Sequence, residues 1–182
     1  RVLASVDWLG RDGANQQLQL GDWQLSDLLD PSAWPAHFRL EDFDDELTGT
    51  NKVDQVDAGA GDDDVDGGAG ADELSGGQGG DALDGGKGDD ELDGGKGIDA
   101  IDGGAGADEL SGGRGDDALD GGKGDDSLIG GAGQDDFEFS EGNDVILDFE
   151  DGTDVISVKS FKDLTLEQDG DDVFVLQHVV YY

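Results

Sequence analysis

Ten aspartates recur at an unbroken spacing of nine residues: Asp54, Asp63, Asp72, Asp81, Asp90, Asp99, Asp108, Asp117, Asp126 and Asp135. Carboxylates repeated so regularly are a row of hard oxygen ligands. The chain has no cysteine, and its two histidines, His37 and His178, stand alone. Oxygen donors without sulfur or imidazole suit Ca²⁺ over zinc or copper.

Each aspartate is the sixth residue of a nine-residue unit, and ten such units run without insertion from Gly49 to Glu138. From Gly67 onward every unit begins Gly-Gly-x-Gly-x-Asp; the first two, GTNKVDQVD and AGAGDDDVD, depart from the glycine pattern. The eighth position is always apolar: Val56, Val65, Leu74, Leu83, Leu92, Ile101, Leu110, Leu119, Leu128 and Phe137. One large apolar residue in nine makes neither a helix stripe nor a long alternating strand. It does make a ladder, if each unit is a six-residue turn followed by a three-residue strand and two units form one coil of a flattened solenoid.

In that arrangement the eighth-position side chains stack inward in two columns, and the glycines supply the positive φ that so tight a turn requires. Turns two units apart share an edge, which brings together Asp63 with Asp81, Asp72 with Asp90, Asp81 with Asp99, Asp90 with Asp108, Asp99 with Asp117, Asp108 with Asp126, and Asp117 with Asp135. Asp54 with Asp72 is set apart, because the first turn lacks the glycines. Stacked carboxylates repel one another unless a cation lies between them. Backbone carbonyls of the glycine-rich turns complete an all-oxygen cage for Ca²⁺.

The nonapeptide Gly-Gly-x-Gly-x-Asp-x-apolar-x resembles the repeat of RTX (hemolysin-type) proteins, whose nonapeptides bind Ca²⁺. The resemblance implies an all-β fold, a right-handed parallel β-roll, with about seven or eight ions held by the ten aspartates. It further implies export from the cell by type I secretion machinery, folding on external calcium, and a secreted or cell-surface location. Proteases, lipases, epimerases, toxins and adhesins share the module, so the resemblance leaves the cargo open.

Composition agrees with the calcium reading. A net charge of −37 excludes nucleic-acid binding and disfavours anionic membrane surfaces. With 34 glycines and a mean hydropathy of −0.53, the metal-free chain has too little apolar surface to offset its conformational entropy. No signal peptide and no run of apolar residues long enough to span a membrane is present.

Three segments are expected. Residues 1–48 hold Trp8, Trp23 and Trp34 and read as an N-terminal cap or the end of an upstream domain, with strands at Val2 to Leu9 and Leu18 to Leu25 and a turn capped by Ser26. Residues 49–138 are the β-roll. Residues 139–182 carry short apolar runs at Val145, Val155, Leu164 and Val173 that close the far end, and the ending at Tyr182 resembles a type I export signal.

A monomeric, non-enzymatic module is the expectation. There is no His-Glu-x-x-His, no Gly-x-Ser-x-Gly and no Lys-Ser/Thr after the GGKG runs. Asp62, Asp64, Asp66, Gly67 and Glu73 fit the EF-hand expression, but their flanks are more nonapeptide turns and not helices. The rival reading is calcium-dependent adhesion or glycan binding by the acidic faces, or service as the accessory domain of a secreted enzyme or toxin.

Overall fold

A computed structural model describes residues 38–39, 44–139, 141–150, 152–158, 164–169 and 172–177. The strands expected at Val2 to Leu9 and Leu18 to Leu25, the turn at Ser26 and the ending at Tyr182 lie outside them. Among the described residues there are sixteen strands and no helix. They are β1 (Phe38–Arg39), β2 (Glu46–Thr50), β3 (Gln55–Ala60), β4 (Asp64–Gly68), β5 (Glu73–Gln78), β6 (Ala82–Asp84), β7 (Glu91–Lys96), β8 (Ala100–Asp102), β9 (Glu109–Arg114), β10 (Ala118–Asp120), β11 (Ser127–Ala132), β12 (Asp136–Phe139), β13 (Asn143–Ile146), β14 (Val155–Val158), β15 (Leu164–Asp169) and β16 (Asp172–Gln177).

Alternate strands belong to alternate sheets. A nine-stranded sheet runs β1-β3-β5-β7-β9-β11-β13-β16-β15, and a seven-stranded sheet runs β14-β12-β10-β8-β6-β4-β2. From β2 through β14 every pairing is parallel, as it must be when the chain returns to the same sheet only after a full coil. The structure is a parallel β-roll. Registers step by two units: Leu74 lies beside Leu92, Leu92 beside Leu110, and Leu83 beside Ile101.

The eighth-position residues form the core. Val56 through Phe137 at that position are all at most 3 % exposed, in a single cluster with Leu47, Ala58 and Ile146. Ala58 is there from the first position of its unit; Ile98, at the fifth position, is 69 % exposed. With strands this short the period-two alternation turns the seventh and ninth positions to solvent. Glu73, Glu91 and Glu109 therefore line the outside of one sheet, and Ala82, Ala100 and Ala118 the outside of the other.

The coil continues on both sides of 49–138. Leu47 enters the core at 6 % exposure and Ile146 at 0 %, so β2 and β13 are rungs of the same ladder. Val145-Ile146 and Val155-Ile156 extend the two sheets with parallel partners. Only then does the topology change: β16 pairs antiparallel with both β13 and β15.

The glycines are required by contact as well as by conformation. Gly97 has φ of 145°, and a Cβ there would land on the carbonyl oxygen of Gly79 one coil earlier. Only a residue without a side chain lets the turns stack at this separation.

Candidate metal centre

The sixth-position aspartates are the buried polar groups of the roll. Asp63, Asp72, Asp81, Asp90, Asp99, Asp108, Asp117, Asp126 and Asp135 are all at most 2 % exposed, whereas Asp54 is half-buried. The aspartates expected to pair are joined, through one bond repeated along both edges. Each carboxylate's Oδ1 accepts from the backbone N–H of the aspartate one coil before it. Asp81 Oδ1 accepts from Asp63 at 2.9 Å, Asp90 from Asp72 at 2.7 Å, Asp99 from Asp81 at 2.8 Å, Asp108 from Asp90 at 2.8 Å, Asp117 from Asp99 at 2.9 Å, Asp126 from Asp108 at 2.9 Å and Asp135 from Asp117 at 3.0 Å. Asp54 with Asp72 follows the rule too, at 2.7 Å, despite the irregular first turn.

The other oxygen has no partner. Oδ2 of Asp63, Asp72, Asp81, Asp90, Asp99, Asp108, Asp117 and Asp126 is buried without a hydrogen bond. An orphaned buried acceptor costs on the order of 1–3 kcal/mol, and more when charged, so eight in one ladder call for a ligand.

From Asp72 to Asp126 the space in front of these oxygens is shaped by the first glycine of each unit; before Asp63 that position is Ala58. A Cβ placed on Gly85 would sit 2.8 Å from Asp90 Oδ2 and 2.7 Å from the carbonyl oxygen of Gly103 in the next coil. On Gly112 it would sit 2.6 Å from Asp117 Oδ2 and 2.7 Å from the Gly130 carbonyl oxygen. An orphaned carboxylate oxygen and a neighbouring coil's carbonyl thus face the same gap, and the absence of a side chain keeps it open. Among the described residues no three acidic side chains converge as a cage by themselves, so the donor set is one carboxylate per turn plus backbone oxygen. That set fits Ca²⁺, a hard cation that takes carboxylate and carbonyl oxygens together.

Electrostatics point the same way. Burial pushes the carboxyls of Asp63, Asp72 and Asp99 up to about 6 and that of Asp108 up to about 7. For Asp108, burial is opposed by the Asp90 N–H and reinforced by the charges of Asp126 and Asp90. The remaining members, Asp81, Asp90, Asp117, Asp126 and Asp135, are raised in the same direction, with burial the leading cause in each. Burial and the neighbouring carboxylates both penalise the ionised form, and a cation held between the turns would offset that penalty.

A model of the RTX calcium-binding nonapeptide repeat (4 copies) matches residues 41–74, 67–101, 75–110, 93–128 and 111–146, more than half of the chain. The chain belongs to the RTX family. It is a calcium-binding repeat module. No curated protein matches it.

The same hydrogen bonds extend the ladder past the ten aspartates read from the sequence. Asp45 donates its N–H to Asp63 Oδ1 at 2.8 Å, Asp144 Oδ1 accepts from Asp126 at 3.2 Å, and Asp154 Oδ1 accepts from Asp135 at 3.1 Å. Asp45 and Asp144 are buried, and burial pushes Asp144 up to about 7. These three escaped the sequence reading because their units lack the glycine frame: 40–48 has no glycine, 139–147 keeps only Gly142, and the last turn is one residue longer. The signal that survives is Asp-x-apolar, as in Asp45-x-Leu47, Asp144-x-Ile146 and Asp154-x-Ile156.

The RTX ladder closes at its ends with protein donors. Asp54 Oδ2 accepts from the Thr50 N–H at 2.7 Å and the Thr50 hydroxyl at 2.9 Å, so it is not orphaned. In the last turn Asp148 accepts from the N–H groups of Gly130 and Gly131 at 2.9 and 2.8 Å, and Asp154 Oδ2 accepts from Glu150 at 2.8 Å. Phe149 packs beside Phe137 there, with ring centroids 6.4 Å apart. The EF-hand match dissolves in the structure: Asp64 and Asp66 lie on strand β4, and no helix flanks them.

Proposed function

We propose that the module is a calcium-gated folding unit that supports the export and stability of a larger secreted or surface protein, and has no catalytic role of its own. The observation that carries this reading is the set of eight buried, orphaned Oδ2 atoms along the two edges, seven of them, from Asp72 to Asp126, facing glycine-lined gaps. In the absence of calcium, repulsion among buried carboxylates and the entropy of a glycine-rich chain favour the open state. With the ion bound, its positive charge cancels the repulsion and its binding free energy becomes folding free energy. Orphaned oxygens at Asp63, Asp81, Asp99 and Asp117 on one edge and Asp72, Asp90, Asp108 and Asp126 on the other support about eight ions. An open chain in calcium-poor cytoplasm and a closed roll outside is the behaviour type I export of a family member would use.

A far-ultraviolet circular dichroism titration of the full chain tests the reading, from chelator to about 10 mM Ca²⁺, the upper side of the range for extracellular modules, with Mg²⁺ as control. The expected result is a cooperative coil-to-β transition near millimolar Ca²⁺ that Mg²⁺ does not reproduce. A chain fully β in chelator would overturn the gate.

A further inference from the structure

A second set of carboxylates sits at the fifth position of the unit, immediately before the calcium-ladder aspartates. These side chains are exposed, and their hydrogen bonds run the other way. Asp89 Oδ1 accepts from the N–H of Ala107, one coil later, at 3.0 Å. Between the same two turns Asp108 Oδ1 accepts from the N–H of Asp90, one coil earlier, at 2.8 Å. Adjacent residues thus cross the gap in opposite senses and hold two turns at a set distance. The crossed pair recurs with Asp62 accepting from Gly80 at 2.8 Å, Asp116 from Gln134 at 2.9 Å and Asp125 from Asn143 at 2.9 Å.

Asp44 makes the same bond, accepting from the Asp62 N–H at 3.0 Å. Elsewhere on the ladder the fifth position carries Val53, Ala71, Gly80, Ile98 or Ala107, none of which has a side-chain acceptor, and Gln134, whose side-chain amide donates to the Thr153 carbonyl at 3.0 Å. The gaps are therefore of two kinds. All share backbone bonds between turns, such as Gly88 N–H to the Ala105 carbonyl at 2.9 Å and Gly97 N–H to the Arg114 carbonyl at 2.8 Å; beyond these, some are spanned by two opposed side-chain bonds and others by the sixth-position side-chain bond alone.

We infer that the fifth position grades the calcium sites: Asp62, Asp89, Asp116 and Asp125 are positioning residues that set the spacing of successive turns, and the gaps they span bind Ca²⁺ more tightly than those at Ile98 and Ala107. This rests on the calcium reading above. The physical reason is preorganisation, since a cation site already held at its working separation binds without the cost of ordering it. Exposure rules these carboxylates out as the buried ligands, and it screens their charge, leaving the hydrogen bond as the dominant effect.

The test is made on the full chain with Asp89→Ala, Asp89→Asn and Ile98→Asp, reading amide hydrogen exchange at saturating calcium and calcium affinity by calorimetry. Asp89→Ala is expected to strip protection from the Ala107 amide and weaken the affected ions about threefold to tenfold, the loss of one net hydrogen bond. Asp89→Asn keeps an acceptor oxygen and holds both readouts near the unchanged chain. Ile98→Asp adds a clamp on the Asp116 amide, protecting it and tightening binding. Unaltered affinity in Asp89→Ala, or an Asp89→Asn chain as weak as Asp89→Ala, overturns the inference. An unchanged chain that takes up no calcium overturns instead the calcium reading on which it stands.

Discussion

Asp99 and Asp54 hold the same place in the nonapeptide and meet different surroundings. Asp99 is buried with Oδ2 orphaned, and it is tied to both neighbours on its edge, through Oδ1 to the Asp81 N–H and through its own N–H to Asp117. Asp54 is half-buried with Oδ2 already satisfied by Thr50. At saturating calcium, Asp99→Ala is expected to raise the calcium midpoint and lower stability by roughly 1–3 kcal/mol, since it orphans a buried N–H and removes a ligand from the middle of the ladder. Asp54→Ala is expected to move the midpoint less. Equal midpoints in paired dichroism titrations would count against the ladder. The type and period of these residues were legible in the sequence. Which of them keeps a free oxygen was not, because that depends on donors such as Thr50 being folded against them.

At the scale of the element, each turn is a place where backbone meets backbone. Gly97 and Gly152 both have positive φ, 145° and 88°, but a Cβ on Gly97 would strike the Gly79 carbonyl while one on Gly152 meets nothing within 4 Å. Gly152→Ala is expected to cost about 1–2 kcal/mol, the strain of a left-handed backbone conformation alone. Gly97→Ala is expected to exceed about 4 kcal/mol, the level at which forced displacement of packed structure shows itself. Denaturant unfolding at saturating calcium measures both, and similar losses would show that the turns have room to spread. The nonapeptide made the turns and short strands legible, because one inward side chain per unit admits only a ladder. The flanking rungs at Leu47 and Ile146 were hidden, since they keep the core residue and lose the glycines that announce the turn.

The whole molecule is expected to respond to protons as well as to calcium, because its buried carboxyls are shifted in the same direction. Their native pKa values are raised, to about 6 for Asp63, Asp72 and Asp99 and to about 7 for Asp108 and Asp144, from an unfolded value of 3.8. Between those limits the folded chain binds protons that the unfolded chain has released. Metal-free stability is therefore greatest below about pH 4 and falls as pH rises through about 7. Without calcium, β structure is expected to be greater at acid than at neutral pH. With calcium, binding must displace the same protons, so the calcium midpoint is expected to rise as the pH falls. Dichroism at fixed calcium across this range checks the sign, and more metal-free structure at neutral than at acid pH would contradict it.

What the sequence alone determined is the repeat: a nine-residue period, one inward apolar residue, one aspartate, and glycines where the chain must turn. Those features act locally, through side-chain size and permitted φ, so they survive being read one unit at a time. Tertiary structure decided what depends on stacking. It assigned the Oδ1 atoms to amides of the coil before, left Oδ2 of Asp72 through Asp126 orphaned before glycine-lined gaps, carried the ladder beyond its glycine frame to Asp45, Asp144 and Asp154, and gave the fifth-position carboxylates hydrogen bonds in the opposite sense. These are contacts between residues about eighteen apart in the chain, brought together by the coil itself. A period written in the sequence predicts that such neighbours exist, while the direction of each hydrogen bond between them is settled only when the turns are in place.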